Sequence, residues 1–332
     1  MNTETGTGRR PFLRAALGLA AMGAAGLMRP ALAQEPPRTI RLVVAYPAGG
    51  VSDVVARALA DRLAAQMGIT VIVDNRAGAS GAIGMDVVAK AASDGATLGF
   101  AAISPLVLSP HLGKLPYDPL RDVAPVASVM YSPVLLLATP AGTSADFAAL
   151  MEVARAQPGA VRWATSGPAS LGHIMLEQLR AAARVDITHI PYKGGGQQMN
   201  DALSGQFEVL STNAGPAVAA QIQAGKLRPL AVGAPARLDT LPQVPTLAEL
   251  GYRAANLSSQ FGVFAPAALP PPLVARYNAE INKALASPEL RAKLTATDNV
   301  PTGGSPSDFA REILAEYESN GRIIRAAGIK AD

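Results

Sequence analysis

Glycine-rich segments stand between predicted strands and predicted helices at four places in the sequence. These four segments are Tyr46–Asp53, Asn75–Gly84, Ala164–His173 and Pro191–Gln198. Glycine lets the backbone approach a ligand closely, and the first turn of the following helix presents N–H groups that have no partner within the helix. Those groups, together with the positive end of the helix dipole, favour a carboxylate or a phosphate. Each segment is therefore a candidate site for an anion.

One such turn by itself has an equally good structural explanation. Any of the four can be only a tight strand-to-helix connection, and Ser52 or Asp53 can be a plain N-cap residue. Four in one chain favour binding, because the turns of an open parallel sheet lie at the carboxyl ends of its strands, where ligands bind. Two lobes that face each other would direct backbone donors from both sides at one anion.

Side chains near these turns offer further candidates. Lys193 can pair with an anion directly or can simply be solvated. His173 stands at the start of a predicted helix, where binding and capping are both open, whereas His189 lies within a predicted strand and is expected to be a packed core residue. Ser170 and His173 are three residues apart on one helix, which is the spacing of a weak nucleophile–base pair. A secreted serine hydrolase is therefore an alternative function.

Catalytic motifs are absent from the sequence. It has no G-x-S-x-G, no G-x-x-x-x-G-K-[ST] and no H-E-x-x-H motif. It also has no cysteine, which excludes disulfide scaffolds, thiol nucleophiles and thiolate metal sites. The three histidines are scattered, and no spacing of carboxylates indicates a metal site. We expect no catalytic residue, no metal and no cofactor.

The first 33 residues have the pattern of an export signal. The pair Arg9-Arg10 precedes an uncharged run, Ala15–Met28, whose 14 residues fall short of the about 20 that a membrane-spanning helix needs. Small residues at 31 and 33 then predict signal-peptidase cleavage near Ala33 and a periplasmic protein. The arginine pair resembles a twin-arginine signal, and ordinary Sec export and a buried N-terminal helix are the alternatives.

Most of the net positive charge lies in that segment. Four arginines and one glutamate give it +3 of the formal net charge of +4, so the rest of the chain is near +1. A nucleic-acid partner therefore loses its main support. The length of 332 residues, with 49% hydrophobic and 16% charged residues, predicts a globular chain of two domains.

Short apolar runs alternate with amphipathic segments, as in an α/β protein. The predicted strands are Ile40–Tyr46, Thr70–Asp74, Thr97–Ala102, Arg162–Ser166, Ile187–Tyr192, Phe207–Ser211 and Leu227–Val232. Helical spacing predicts helices over 54–67, 83–92, 171–183 and 197–203, followed by a strand-free run over 273–286, 288–296 and 308–326. Strands alternating with helices imply parallel sheets that are covered on both faces.

This order predicts two lobes, each with a mostly parallel central sheet. We expect residues 34–137 and 258–332 to form lobe 1, because a terminal run of helices usually packs onto an existing sheet. Residues 138–257 are expected to form lobe 2. The chain then crosses between the lobes twice, and Leu137–Pro140 and Leu257–Phe261 are the candidate hinge segments.

Further motifs follow one another from about Ile40 to the C-terminus. They are Tyr46-Pro-Ala-Gly-Gly-x-x-Asp53, Asp74-Asn-Arg-x-Gly-Ala-x-Gly-x-x-Gly84, Ser93-Asp-Gly-x-Thr-Leu98, Leu115-Pro-Tyr-Asp-Pro119, Ser166-Gly-x-x-Ser-x-x-His173, Ile190-Pro-Tyr-Lys-Gly-Gly195, Ala224-Gly-Lys-Leu-Arg-x-Leu-Ala-Val232 and Pro242-x-Val-Pro-Thr-x-x-Glu-x-Gly251. As a series they resemble the Bug, or tripartite tricarboxylate transporter (TctC-like), extracytoplasmic solute receptors.

That resemblance implies a periplasmic binding protein of the type II class, in which two α/β lobes close over a small carboxylate. The loops that match Ala48–Gly50 and Ser166–Ser170 would hold the carboxylate through backbone amides and bridging waters. The candidate ligand-binding residues are Tyr46, Ala48, Gly49, Gly50, Ser52, Asp53, Ser80, Ser104, Ser166, Ser170, His173, Tyr192, Lys193, Gly194, Gly195 and Asn213. Membrane permease subunits are the implied partners of a monomeric receptor. A receptor that feeds a sensor kinase is the alternative.

Three positions depart from the family pattern. Gln260 precedes Phe261 where the family commonly has tryptophan, and Asn213 lies where many members carry aspartate. Both substitutions can reshape the pocket and so change the size of the ligand. Asn320 replaces a frequent tryptophan, and we expect it to affect only packing.

Overall fold

A single mixed sheet and the helices around it make up the protein. The computed structural model describes residue 1, residues 37–168 and residues 170–328. The predicted export signal lies outside these residues, except for Met1. Among the described helices, none combines the length and the apolar character needed to cross a membrane. The strands are β1 (Thr39–Val44), β2 (Thr70–Asn75), β3 (Thr97–Ala102), β4 (Val123–Ala138), β5 (Arg162–Thr165), β6 (Thr188–Pro191), β7 (Val209–Asn213), β8 (Arg228–Gly233), β9 (Ser258–Pro266) and β10 (Val300–Pro301).

The helices lie mainly between the strands and at the C-terminal end of the chain. They are α1 (Val51–Met67), α2 (Ala82–Ala89), α3 (Ser104–Val107), α4 (Ser109–Leu112), α5 (Phe147–Ala156), α6 (Leu171–Ala183), α7 (Gly195–Leu203), α8 (Pro216–Gln223), α9 (Pro271–Leu285), α10 (Pro288–Thr295) and α11 (Pro306–Ala327).

Lobe 1 is built on three parallel strands in the order β2-β1-β3. Strand β9 pairs antiparallel with β3, and β4 pairs antiparallel with β9. Helix α1 carries apolar residues at helical spacing, so that one face is buried. Leu59 and Leu63 of this face share a buried cluster with Leu42 of β1 and Ile281 of α9. This packing fixes the start of α1 directly beyond the end of β1.

Lobe 2 repeats that arrangement with the parallel strands β6, β5 and β7. Strands β7 and β8 both pair antiparallel with the second half of β4. Trp163 of β5 is fully buried with Leu150 of α5 and Leu176 of α6, so it is a core residue. The turns after β5, β6 and β7 therefore lead into α6, α7 and α8 from one edge of this sheet.

Strand β4 belongs to both lobes. Its residues up to Pro133 pair with β9, whereas Val134–Ala138 pair with β7 and β8. This change of partners occurs slightly before the candidate hinge segment Leu137–Pro140. Strand β9 begins at Ser258, opposite Pro133, so the return crossing falls in the second candidate segment. The boundaries of the lobes as moving units stay a prediction.

The C-terminal helices pack on lobe 1. Tyr277 of α9 donates a hydrogen bond to the carbonyl oxygen of Gly95 at 2.7 Å. Phe309 of α11 lies so close to Gly262 of β9 that an added Cβ there would be 2.4 Å from its ring. Helix α11 also shares an apolar cluster with Ile174 of α6, so it contacts elements of both lobes.

Candidate ligand-binding cleft

A cleft with a volume of about 360 Å³ lies where the turns of the two lobes meet. One wall comes from the turn after β1, the start of α3 and the start of β9, and the other from the turns after β5, β6 and β7. Among the described residues that line it, none is Lys, Arg, His, Asp or Glu. The groups nearest to a ligand in this cleft that carry positive electrostatic potential are therefore backbone N–H groups.

Besides the one-turn helix α3, four longer helices begin at the cleft, namely α1, α6, α7 and α8. Their N-cap residues form no capping hydrogen bond through a side chain, and they are Gly50, Ser170, Gly194 and Gly215. Of the helices that begin elsewhere, α5, α10 and α11 are capped by the side chains of Asp146, Ser287 and Ser305, whereas α2, α4 and α9 lack a side-chain cap as well. Since first-turn N–H groups have no partner within a helix, the four uncapped helices leave their donors available to a ligand.

Asp53 braces the turn between β1 and α1. Its carboxylate accepts hydrogen bonds from the Gly49 amide at 2.9 Å, from Asn75 Nδ2 at 3.0 Å and from Arg57 Nε at 3.1 Å. Burial alone would raise the pKa of Asp53, but the hydrogen bonds from Arg57, Gly49 and Asn75 outweigh it and hold the pKa below its ordinary value. Asp53 therefore holds the backbone of the turn and does not itself line the cleft.

The turn between β5 and α6 brings Ser166 and Ser170 to the cleft. Thr165 Oγ1 donates a hydrogen bond to the carbonyl oxygen of Gly167 at 3.1 Å, and φ at Gly167 is +136°, a value that favours glycine. The Ser170 hydroxyl is buried without a hydrogen-bond partner. It forms no hydrogen bond to His173, so the geometry of a serine nucleophile with its base is not in place.

His173 and His189 stack behind this turn. Their ring centroids are 4.1 Å apart, and His189 Nε2 lies 2.8 Å from Thr165 Oγ1. Burial lowers the pKa of His189 to about 3, with His173 and Arg180 adding to the effect. His189 is therefore neutral at physiological pH and supports Thr165 from behind; it packs against His173 but is only half-buried, and so is not the core residue that was expected. His173 is buried and lies outside the cleft lining.

The turn between β6 and α7 presents its backbone to the cleft and its side chains elsewhere. Tyr192 donates a hydrogen bond to Asp201 Oδ2 at 2.9 Å, and Lys193 is exposed. Gly195 and Gly196 line the cleft, whereas Tyr192, Lys193 and Gly194 do not. Lys193 is therefore a solvated side chain in this structure.

Contacts between the lobes occur at the rim of the cleft. Ser80, in the turn after β2, donates a hydrogen bond to the carbonyl oxygen of Pro168 at 2.6 Å. A Cβ added at Gly194 would lie 3.2 Å from Cγ of Pro47. The turns of lobe 1 and lobe 2 therefore touch, and the lobes are close together in this structure.

The structure brings eleven of the sixteen sequence-predicted site residues to the cleft. These are Tyr46, Ala48, Gly49, Gly50, Ser52, Ser80, Ser104, Ser166, Ser170, Gly195 and Asn213. The five that do not line it are Asp53, His173, Tyr192, Lys193 and Gly194. Contact of any of them with a ligand stays a prediction.

Sequence reasoning missed the start of α8, Gly215–Val218, which lines the cleft. Proline is favoured at the first position of a helix, so Gly215-Pro216 after a predicted strand could have identified it. Ser259 and Phe261 also line the cleft. They lie in β9, far along the chain, and no local pattern marks them.

The three departures from the family pattern have different surroundings. Asn213 lines the cleft, and its Nδ2 donates to the carbonyl oxygens of Ser132 at 3.2 Å and Pro133 at 3.4 Å. Gln260 is buried outside the cleft lining and donates to Glu312 of α11. Asn320 is buried on α11 and donates to Glu316 at 3.2 Å. Of the three, only Asn213 can contact a molecule in the cleft directly.

The sequence and the fold of this chain match those of known proteins. The family described as "Tripartite tricarboxylate transporter family receptor" matches residues 55–329. The chain belongs to that family. The family recognised from the sequence motifs is therefore confirmed.

Individual relatives match this chain over most of its length. Protein BugT of Bordetella pertussis (strain Tohama I) is 37% identical over 311 residues, which are 92% of this chain and 94% of BugT. The structure of Rhodopseudomonas palustris Rpa4515 with adipate superposes with a TM-score of 0.84 and 33% identity, covering 89% of this chain and 99% of that one. For MatC (Rpa3494) of the same organism with bound malate, the TM-score is 0.81 at 28% identity, covering 87% and 99%.

These likenesses confirm the predicted fold class, a type II periplasmic binding protein with two α/β lobes. Each lobe keeps the expected core of parallel strands, and antiparallel β4 and β9 join the two. The family, and the solved structures that this chain resembles, are solute-binding proteins.

Proposed function

We propose that this protein is an exported receptor that captures a small organic carboxylate by lobe closure. It then delivers that acid to the membrane permease of a tripartite tricarboxylate-type transporter. The observation that carries the proposal is the convergence of four uncapped helix N-termini on a cleft whose described lining has no charged side chain. A helix N-terminus acts as about half a positive charge, so backbone groups of both lobes would stabilise a carboxylate.

The ligands of two relatives support a carboxylate. The structure of Rpa4515 is with adipate and that of MatC is with bound malate, and both molecules are dicarboxylates. Both relatives superpose on this chain over almost their full length. We infer that this chain, which shares their fold, also takes an organic acid.

Closure of the lobes links binding to delivery. The hydrogen bond from Ser80 to Pro168 and the contact of Pro47 with Gly194 join the two lobes at the rim. A ligand that touches both lobes binds the closed form more tightly and so shifts the population towards it. The closed form would present to the permease a surface that the open form lacks.

The proposal places the protein in the periplasm, with residues 1–33 removed during export. It predicts that the exported chain begins at Gln34, after the Ala31-Leu32-Ala33 pattern. Intact-mass measurement of the protein from a periplasmic extract tests this directly. A mass that includes residues 1–33 would contradict it.

Thermal denaturation in the presence of organic acids tests the receptor function. The purified protein is screened against mono-, di- and tricarboxylates and aromatic acids. A ligand at 100 times its Kd stabilises the folded protein by about 2.7 kcal/mol, which is an easily measured rise in Tm. If none of these acids raises the Tm, the proposed function is wrong. Uptake of the acid that depends on both receptor and permease tests delivery.

A further inference from the structure

Besides the partly exposed Ser80 and Ser166, five buried serines line the cleft, and each of the five comes from a different element. They are Ser52 in the first turn of α1, Ser104 at the start of α3, Ser170 at the N-cap of α6, Ser211 in β7 and Ser259 in β9. Each is no more than 8% exposed. None of the five hydroxyls hydrogen-bonds to another described residue; that of Ser170 is completely enclosed, whereas the other four are open to the cleft.

The Ser211 hydroxyl has space only because position 172 is a glycine. An added Cβ at Gly172, in the first turn of α6, would lie 2.0 Å from Ser211 Oγ. Any side chain at position 172 would therefore occupy the space of that hydroxyl. The serine and the glycine, from two neighbouring elements, together open a polar position in the wall of the cleft.

A carboxylate alone does not account for the hydroxyls that open on the cleft. A ligand that fills the cleft removes the water that these hydroxyls can bond to, and a polar group left unsatisfied is costly. A serine hydroxyl both donates and accepts, whereas a carboxylate only accepts. The uncapped helix N-termini already supply donors for a carboxylate. Ligand hydroxyls suit the serine hydroxyls, because both kinds of group donate and accept hydrogen bonds.

The rest of the lining fits the same kind of molecule. Val134 and Phe261 contribute apolar surface between the serines, which suits the C–H groups of a hydroxylated carbon chain. Asn213 uses its Nδ2 on two backbone carbonyls, so its Oδ1 is the atom left to accept a hydrogen bond. A ligand hydroxyl can supply that donor.

We propose that the ligand is a polyhydroxylated carboxylic acid, a chain or ring acid that carries several hydroxyl groups beside its carboxylate. This proposal rests on the proposed function, because it assumes that the helix N-termini hold a carboxylate. It adds that the serine hydroxyls form hydrogen bonds with the hydroxyl groups of the ligand.

Calorimetry with matched acids tests the proposal. Galactarate and adipate are six-carbon dicarboxylates with and without hydroxyls, and tartrate and succinate are the four-carbon pair. We expect the hydroxylated acid of at least one pair to bind at least about tenfold more tightly than its partner, because several extra hydrogen bonds form.

Serine substitutions show whether these hydroxyls are responsible. Ser211→Ala and Ser259→Ala should each reduce the advantage of the hydroxylated acid about threefold or more. Ser109→Ala is the matched control, since Ser109 is also buried and without a hydrogen-bond partner but lies outside the cleft lining. This control should leave the ratio of the two affinities unchanged.

Two results would overturn the proposal in different ways. If neither galactarate nor tartrate binds more tightly than its unhydroxylated partner, or if the serine variants keep the wild-type ratio, the hydroxyls only hold solvent and the proposed function still stands. If neither pair nor any other carboxylate binds, the proposed function fails as well.

Discussion

Asp53→Asn is a nearly isosteric change that tests how the turn after β1 is held. The two carboxylate oxygens of Asp53 face only donors, namely the Gly49 amide, Asn75 Nδ2 and Arg57. Asparagine replaces one oxygen by an NH2 group. Whichever way its amide is oriented, that group meets a donor, and at least one buried hydrogen bond is lost.

The expected loss of stability follows from those contacts. A buried donor left without its acceptor costs about 1–3 kcal/mol. At about 2–4 °C per kcal/mol, this lowers the Tm by several degrees. Since the Gly49 amide is released, the cleft wall also loosens, and affinity for the acid should fall.

Denaturation of wild type, Asp53→Asn and Asp61→Asn at several pH values measures the effect. Asp61 lies on the same helix and is exposed, so it controls for the loss of one negative charge. The folded-state pKa of Asp53 is lowered. The stability that it contributes is therefore complete above the unfolded pKa of about 4 and is lost as the pH falls through the folded value. The difference between wild type and Asp53→Asn should shrink in that acid range.

Equal stability of the two variants at pH 7 would refute this reasoning. So would a difference between wild type and Asp53→Asn that stays constant down to acid pH. Either result would mean that the three hydrogen bonds contribute nothing net to the turn.

Three further substitutions probe the backbone, the rim and the core. Gly49→Ala should destabilise the unliganded protein by about 1–2 kcal/mol, because φ is +82° although an added Cβ would meet no atom within 4 Å; chemical denaturation measures this. Ser80→Ala removes the hydrogen bond to Pro168 and should weaken acid binding about two- to tenfold, as measured by calorimetry, with little change in unliganded stability. Phe309→Ala should cost about 3–5 kcal/mol in denaturant unfolding, because its buried ring packs on Phe264 at 5.5 Å.

Controls and contrary outcomes differ among the three. Gly50→Ala is the control for Gly49, since φ at Gly50 is −76°; an equal cost in both would remove the backbone explanation. Undiminished affinity in Ser80→Ala would show that the rim contact does not favour closure. A loss below about 1 kcal/mol in Phe309→Ala would mean that α11 is not anchored by this ring.

The glycine-rich turns could be predicted because their signals are local. A buried strand, a glycine and a helix start follow one another within a few residues at Gly49 and at Ser170, and the structure has both turns at the cleft. The direction of individual side chains is not local information. Lys193 and Tyr192 stand in the same kind of turn, yet Lys193 is exposed and Tyr192 pairs with Asp201.

Strands β4 and β9 escaped prediction for a different reason. Proline is disfavoured inside a sheet because it lacks an N–H, and β4 contains Pro125 and Pro133. Its register shifts near Pro125, and its pairing partners change directly after Pro133. Partners so far along the chain provide most of its hydrogen bonds, and no window of local sequence contains them.

Backbone donors at the starts of α1, α6 and α7 have a consequence for how such a protein can diversify. An N–H group is present whichever amino acid occupies the position, proline excepted. Mutation can therefore exchange the serines of the cleft wall, and with them the molecules accepted, while the hold on an acidic group persists. Selectivity and anion capture would then depend on different groups around the same cleft, so that the preferred ligand can change while the anion site is kept.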